Sequence, residues 1–233
     1  RGGRVLCGPR KRAGARLILT RRRGACSSFP GCGAVGWRVK SRLAPGTRCA
    51  LEHGGVAPVI VDDCADLDAM IPALVKGGFY HSGQVCVSVQ RVYAPEDMAT
   101  ALAQAIADKA SRLKVGNAIL ADTECGPLVN PNEVKRVEHW VNEAVTGGAQ
   151  VLCGGQRLGD TTYAPTVLLN PPRDAKVSTQ EVFGPVVCVY GTESLADPFE
   201  QANSFPLSFH AAVFPQNLKG PIPSVREIFA PRP

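Results

Sequence analysis

The sequence predicts an α/β fold with a mostly parallel sheet flanked by helices, and three observations carry that prediction. Short runs rich in β-branched residues recur at 56–61, 85–93, 166–169 and 186–190. Between them lie segments whose apolar residues repeat every three to four positions. Gly, Pro, Asn and Asp mark the joins, and strands alternating with helices pack as a parallel sheet covered by helices.

Taken in order, 56–61 reads as a buried strand. The acids in 62–68 offer caps for a helix carrying Met70, Ile71, Leu74 and Val75, with Pro72 expected in or near its first turn, where a missing N–H costs least. Gly77 and Gly78 are expected to bend the chain, so that Cys86 lies near a helix-to-strand transition. Pro95-Glu96-Asp97 opens a helix that places Met98, Leu102, Ala105, Ile106, Ala110 and Leu113 on one face. Asn130-Pro131 opens a second, with Val134, Val137, Trp140, Val141, Ala144 and Val145 inward and a stop at Gly147-Gly148. Strands follow at 150–153, 166–169, 186–190 and 211–214, with a short helix over 197–202.

At 233 residues, 45% hydrophobic and 20% charged, the chain can bury one good core or two small ones. Its apolar runs are too short for a membrane span, so no membrane crossing is expected. The charge is lopsided: the first 50 residues hold 13 cations and no acid, and the remainder holds 13 cations against 20 acids. Residues 1–28 therefore read as a basic segment outside the folded pattern. With only Phe29 and Trp37 as aromatics in the first 50 residues, nucleic-acid binding is not the expected role. Nine cysteines without CxxC spacing point away from a disulfide framework or a zinc site and toward a reducing, cytoplasmic setting. His53, His81, His139 and His210 share no metal-ligand spacing.

Two stretches carry chemistry. Gly83-Gln84-Val85-Cys86 places a thiol after a Gly-Gln turn, and Leu51-Glu52-His53-Gly54-Gly55 sets a carboxylate beside two glycines. A nucleophile and a base of this kind serve covalent carbonyl chemistry. A third stretch, Glu181-Val182-Phe183-Gly184-Pro185, precedes a strand. Together they resemble the aldehyde dehydrogenase superfamily, whose Leu-Glu-Leu-Gly-Gly, Gly-Gln-x-Cys and Glu-x-Phe-Gly-Pro elements occur in this order. Softer matches lie at Gly126-Pro127-Leu128, Tyr163-Ala164-Pro165-Thr166-Val167, Asn203 and Ala212-Val213-Phe214.

That resemblance implies an aldehyde dehydrogenase-like catalytic domain oxidising a small aldehyde with NAD or NADP as cofactor. It implies Cys86 as nucleophile, Glu52 as the base that activates water, Glu181 on the nicotinamide ribose and Phe183 against the nicotinamide ring. Phe29-Pro30-Gly31-Cys32 resembles the family's Phe-Thr-Gly-Ser, which implies Gly31 and Cys32 near the cofactor pyrophosphate, with Gly54 also on the cofactor side. Pro30 replaces Thr and Cys32 replaces Ser, removing a hydroxyl that would bind phosphate. His53 replaces a Leu and is expected to face solvent.

The resemblance runs over 29–218, with 29–55 as the end of the dinucleotide-binding domain and 56–218 as an incomplete catalytic domain. Most of the Rossmann-type cofactor domain is expected to be missing, and 219–233 reads as an off-pattern tail. The family implies a homo-oligomer. Two other readings stand beside oxidation: a cofactor-independent cysteine esterase using Cys86 and Glu52, and an inactive remnant acting only by association.

Overall fold

The computed structural model describes residues 26–62, 66–194, 196–205 and 210–214, which fall into two units, one ending at Gly54 and one beginning at Gly55. Of the basic segment expected over 1–28, residues 1–25 lie outside the described residues, whereas 26–28 form part of a strand; the tail expected over 219–233 lies wholly outside them.

In the first unit, strand β1 (Cys26–Pro30) pairs in parallel with β2 (Arg48–Glu52), and helix α1 (Gly33–Lys40) connects them. The register sets Pro30 opposite Glu52. Both strands alternate exposed and half-buried residues, so neither advertises itself as an apolar run. Glu52 ends its strand exposed.

The second unit contains β3 (Ala57–Val61), α2 (Leu67–Phe79), β4 (Val89–Pro95), α3 (Glu96–Ala110), α4 (Pro131–Thr146), β5 (Gln150–Cys153), β6 (Thr166–Leu169), α5 (Lys176–Thr179), β7 (Val186–Thr192), α6 (Ala196–Asn203) and β8 (Ala212–Phe214). The strand order is β5-β6-β7-β4-β3-β8, with every neighbouring pair parallel except β5 with β6. The α/β class with a mostly parallel sheet is therefore what the chain forms.

Two cores sit on the two faces of this sheet. Along β7, Val186, Cys188 and Tyr190 join Val134, Val137 and Val141 of α4, whereas Val187 and Val189 join Leu74 of α2 and Leu102 and Ile106 of α3. A strand with period-two geometry buried on both faces must be apolar throughout, which accounts for the unbroken Val-Val-Cys-Val-Tyr run. Leu102 is fully buried, so its truncation to Ala is worth about 2–5 kcal/mol.

Local corrections follow from packing. Asp66 caps α2, its Oδ1 accepting from the Ala69 N–H at 3.2 Å. Pro72 falls inside the helix just past its first turn, where it has no N–H to give the ladder. Gly77 and Gly78 do not bend the chain, because α2 continues through them to Phe79. They are small because the sheet is close: a Cβ at Gly78 would lie 2.5 Å from Val187 Cγ2, and one at Gly77 2.9 Å from Val89 Cγ2. The strand expected from 85 starts at Val89, leaving Cys86 in the preceding turn. Val145, expected inward, is exposed. The four-residue helix α5 carries no periodic signal and was not foreseen.

Candidate active site

Strands β3, β4 and β7 are adjacent and parallel, so the loops that enter them meet at one edge of the sheet. Gly55 precedes β3, the 83–88 turn precedes β4, and 181–185 precedes β7. A crevice at that edge is lined by Gly55, Gly83, Val85, Ser88, Gln90, Glu181, Phe183 and neighbouring backbone. Val85 and Ser88 flank Cys86, which is itself half-buried and does not line the crevice.

The turn that presents Cys86 is strained and clamped. His81, Ser82 and Gly83 are successive left-handed residues, with φ of 51°, 57° and 69°. Such backbone persists only where its surroundings over-determine it. Ser82 Oγ donates to the Gly126 carbonyl at 2.6 Å. Gln84 Nε2 donates to the Pro127 carbonyl at 3.1 Å, and Gln84 Oε1 accepts from the Val129 N–H at 2.9 Å. Downstream, Ser88 Oγ reaches the Gly77 and Gly78 carbonyls, both at 3.3 Å. A Cβ at Gly83 would overlap the Gly184 carbonyl, so glycine is required both for the φ and for this close approach.

That approach brings the Cys86 turn against the Glu181 segment, which is equally fixed. Gln90 is 5% exposed, and its amide spends every strong hydrogen bond on this segment. Its Nε2 donates to the Val177 and Gln180 carbonyls at 2.8 and 2.7 Å, and its Oε1 accepts from the Val182 N–H at 2.8 Å. From α4, Arg136 Nη2 donates to the Val182 carbonyl at 2.6 Å while its Nε holds Glu133 at 2.8 Å. With both backbone polar groups of Val182 taken and its side chain buried, the flanking Glu181 and Phe183 are left to line the crevice. The segment is not simply extended, since Phe183, itself 42% exposed, sits at φ 48°.

Glu181 Oε1 is buried and has no hydrogen-bond partner among the described residues. Burial raises the pKa of this carboxyl above the usual carboxylate value, and the positive charge of Arg136 opposes the rise. Gln90 and Arg136 were not singled out from the sequence. The backbone groups they hold lie 46 to 92 residues away, so nothing local marks this role.

The remaining sequence-predicted residues lie in the first unit. The Gly31 N–H donates to the Glu52 carbonyl at 3.0 Å, extending the β1–β2 ladder. His53 Nδ1 lies 3.1 Å from the Gly31 carbonyl, so that nitrogen carries the proton. The ring is only partly open to solvent: His53 Nε2 is buried, and a Cβ at Gly36 of α1 would lie 2.5 Å from His53 Cε1. Cys32 occupies the N-cap of α1 without a side-chain cap bond, the consequence expected when a thiol replaces a hydroxyl. Gly31, Cys32, Glu52 and Gly54 are thus gathered at one end of the β1–β2 pair.

Comparison with known proteins bears on what this arrangement is for. The model of the aldehyde dehydrogenase family matches residues 4–227. The 3-sulfolactaldehyde dehydrogenase of Priestia aryabhattai is 35% identical over 201 residues, which cover 86% of this chain and 42% of that protein. Among solved structures, glyceraldehyde-3-phosphate dehydrogenase GapN of Methanocaldococcus jannaschii, complexed with NADP, superposes with a TM-score of 0.86 at 31% identity, covering 91% of this chain and 46% of its own. Betaine aldehyde dehydrogenase of Staphylococcus aureus, in complex with NAD+, gives a TM-score of 0.84 at 29% identity, covering 91% of this chain and 43% of that one. This chain spans less than half the length of these proteins. Its fold, the order of its motifs and a family match over nearly all its residues have one common account: the chain belongs to the aldehyde dehydrogenase family.

Proposed function

We propose that the chain carries the thiol, base and nicotinamide-facing groups of an aldehyde-oxidising site that uses NAD or NADP. The observation that carries this reading is the crevice where the Cys86 turn meets Glu181 and Phe183. The groups present fit a nicotinamide nucleoside: the unpartnered Glu181 Oε1 is an acceptor for a ribose hydroxyl, and the exposed ring of Phe183 is a face for an aromatic ring. When bound, the nicotinamide supplies the acceptor for a hydride.

In this reading the Cys86 thiolate adds to the aldehyde carbon, forming a C–S bond and a thiohemiacetal whose oxygen gains negative charge. Backbone N–H groups of the clamped turn are the donors this chain offers to that oxygen, and one such donor is worth on the order of a hundred- to a thousandfold in rate. Loss of hydride from the same carbon leaves a thioester on Cys86. The resemblance gives Glu52 the role of taking a proton from the water whose oxygen attacks the thioester, after which the C–S bond breaks to release a carboxylate and the thiol. Gln90 and Arg136 hold Val182 and so fix where Glu181 and Phe183 stand.

The test is peptide mapping after treatment with a thiol-directed aldehyde analogue, with and without NAD+ and NADP+, alongside aldehyde oxidation by the parent and by C86S. Selective, cofactor-sensitive labelling of Cys86 and loss of oxidation in C86S are expected. Equal oxidation by C86S overturns the proposal. Ester cleavage through Cys86 that ignores the cofactor, without aldehyde oxidation, replaces it with the esterase reading.

A further inference from the structure

A groove of about 580 Å³ lies between the carboxyl-terminal ends of α2 and α3 and shares no lining residue with the crevice beside Cys86. Its floor is apolar, with Val75 and Phe79 from α2 and Leu113 beyond α3. Lys76, Lys109 and Arg112 also line it, all exposed, and none of them makes an ion pair among the described residues. One acid, Glu124, also lines it, and Glu124 Oε2 already accepts the Lys114 N–H at 3.0 Å.

Cations in the last turn of a helix or just beyond it are favoured by the helix dipole, so position alone does not make these three a site. The dipoles place no demand, however, on an apolar floor between them. Nor do they cancel the charge: a half-unit of negative charge at each helix end, added to Glu124, still leaves the groove with about one net positive charge. An apolar cleft with a net cationic rim complements a ligand with an apolar body and one anionic head. Pockets of roughly 300–1,000 Å³ are the size that holds small molecules, whereas a stable protein partner buries on the order of 800 Å² on each side. Arg112 can take both oxygens of a carboxylate at once, with the two lysines acting as nearby point charges.

We infer that this groove binds a small amphipathic carboxylate, its apolar body on Val75, Phe79 and Leu113 and its acid against Arg112, Lys109 and Lys76. The proposal is independent of the aldehyde-oxidising reading, because it involves neither Cys86 nor the cofactor.

Decanoate is the probe, titrated into the whole chain and followed by calorimetry and by methyl NMR signals of Val75 and Leu113. Decanol tests the need for charge and decyl phosphate the identity of the head group. Saturable binding of decanoate at least about tenfold tighter than decanol is expected, with a further loss of about tenfold or more in a K109E/R112E double variant. Both positions are exposed, so an unchanged unfolding transition in that variant shows that the loss is not misfolding; K76Q, expected to weaken binding by a smaller factor, is the second variant. Decanol or decyl phosphate binding as tightly as decanoate overturns the assignment. So does unchanged affinity in the double variant, or shifts confined to the 83–88 and 181–185 loops.

Discussion

The Val182 N–H donates to Gln90 Oε1 at 2.8 Å across 92 residues of sequence, joining the strand that follows the Cys86 turn to the segment that carries Glu181 and Phe183. Gln90→Leu keeps most of the volume and removes all three hydrogen bonds, stranding two carbonyls and one N–H in a buried place. We expect a loss of about 3 kcal/mol, with the faster hydrogen exchange concentrated at 177–183. Gln90→Glu keeps the acceptor and loses the donors, so it should protect Val182 better than the Leu variant. Urea unfolding with site-resolved exchange checks both, and uniform exchange across the sheet would mean that Gln90 is ordinary filling.

Gly83→Ala should cost several times more than Gly148→Ala. Both glycines have positive φ, 69° and 109°, but a Cβ at Gly148 meets nothing within 4 Å whereas one at Gly83 runs into the Gly184 backbone. The Gly148 change is expected to cost about 1 kcal/mol from backbone strain alone. The Gly83 change adds a clash that separates the Cys86 turn from the Glu181 segment. Denaturation midpoints of the two variants, together with the reactivity of Cys86, provide the comparison.

Glu181 imposes a pH dependence of definite sign. Its folded pKa lies above the ordinary value of 4.5, so the native state holds this proton more tightly than the unfolded chain does. The contribution is fully present below about 4.5 and is lost as pH rises through the folded pKa. Glu181→Gln copies the protonated form, so its stability relative to the parent should grow on going from acid to neutral pH. Arg136→Gln removes the opposing positive charge and should widen the gap. Unfolding curves of the three proteins at several pH values test this, and a gap that shrinks with rising pH contradicts it.

Thiol reactivity should sort by burial. Cys188 is fully buried and its pKa is pushed up to about 12 by burial, and Cys125 is raised for the same reason. Neither is expected to react with a maleimide at neutral pH until the chain unfolds, whereas exposed Cys26 and Cys32 should react at once. Mass mapping of labelled peptides across a urea series reads this directly.

What could be read from the sequence follows the range of the forces involved. Helices α3 and α4 were legible because capping and apolar period are local, and Asn130 caps α4 as its sequence implied. Residues 77 and 78 were misjudged because glycine propensity was overridden by the closeness of Val187 and Val89. Within the site, Cys86, Glu181 and Phe183 stood out through their motifs. Gln90, Arg136 and the clamp from Ser82 and Gln84 did not, since buried amides and guanidiniums that bond distant backbone look like any other polar residue until the sheet is assembled.

The position of β7 between β6 and β4 carries a kinetic consequence. Strands β3 and β4 can pair early, separated by only α2 and one turn, but the crevice wall formed by 181–186 arrives about a hundred residues later. Closing so long a loop is entropically slow, which makes docking of β7 the commitment step in building the site. During synthesis, a nascent chain would carry the Cys86 turn on an unfinished sheet until β7 emerges, and through that interval the turn lacks the wall that 181–186 later supplies.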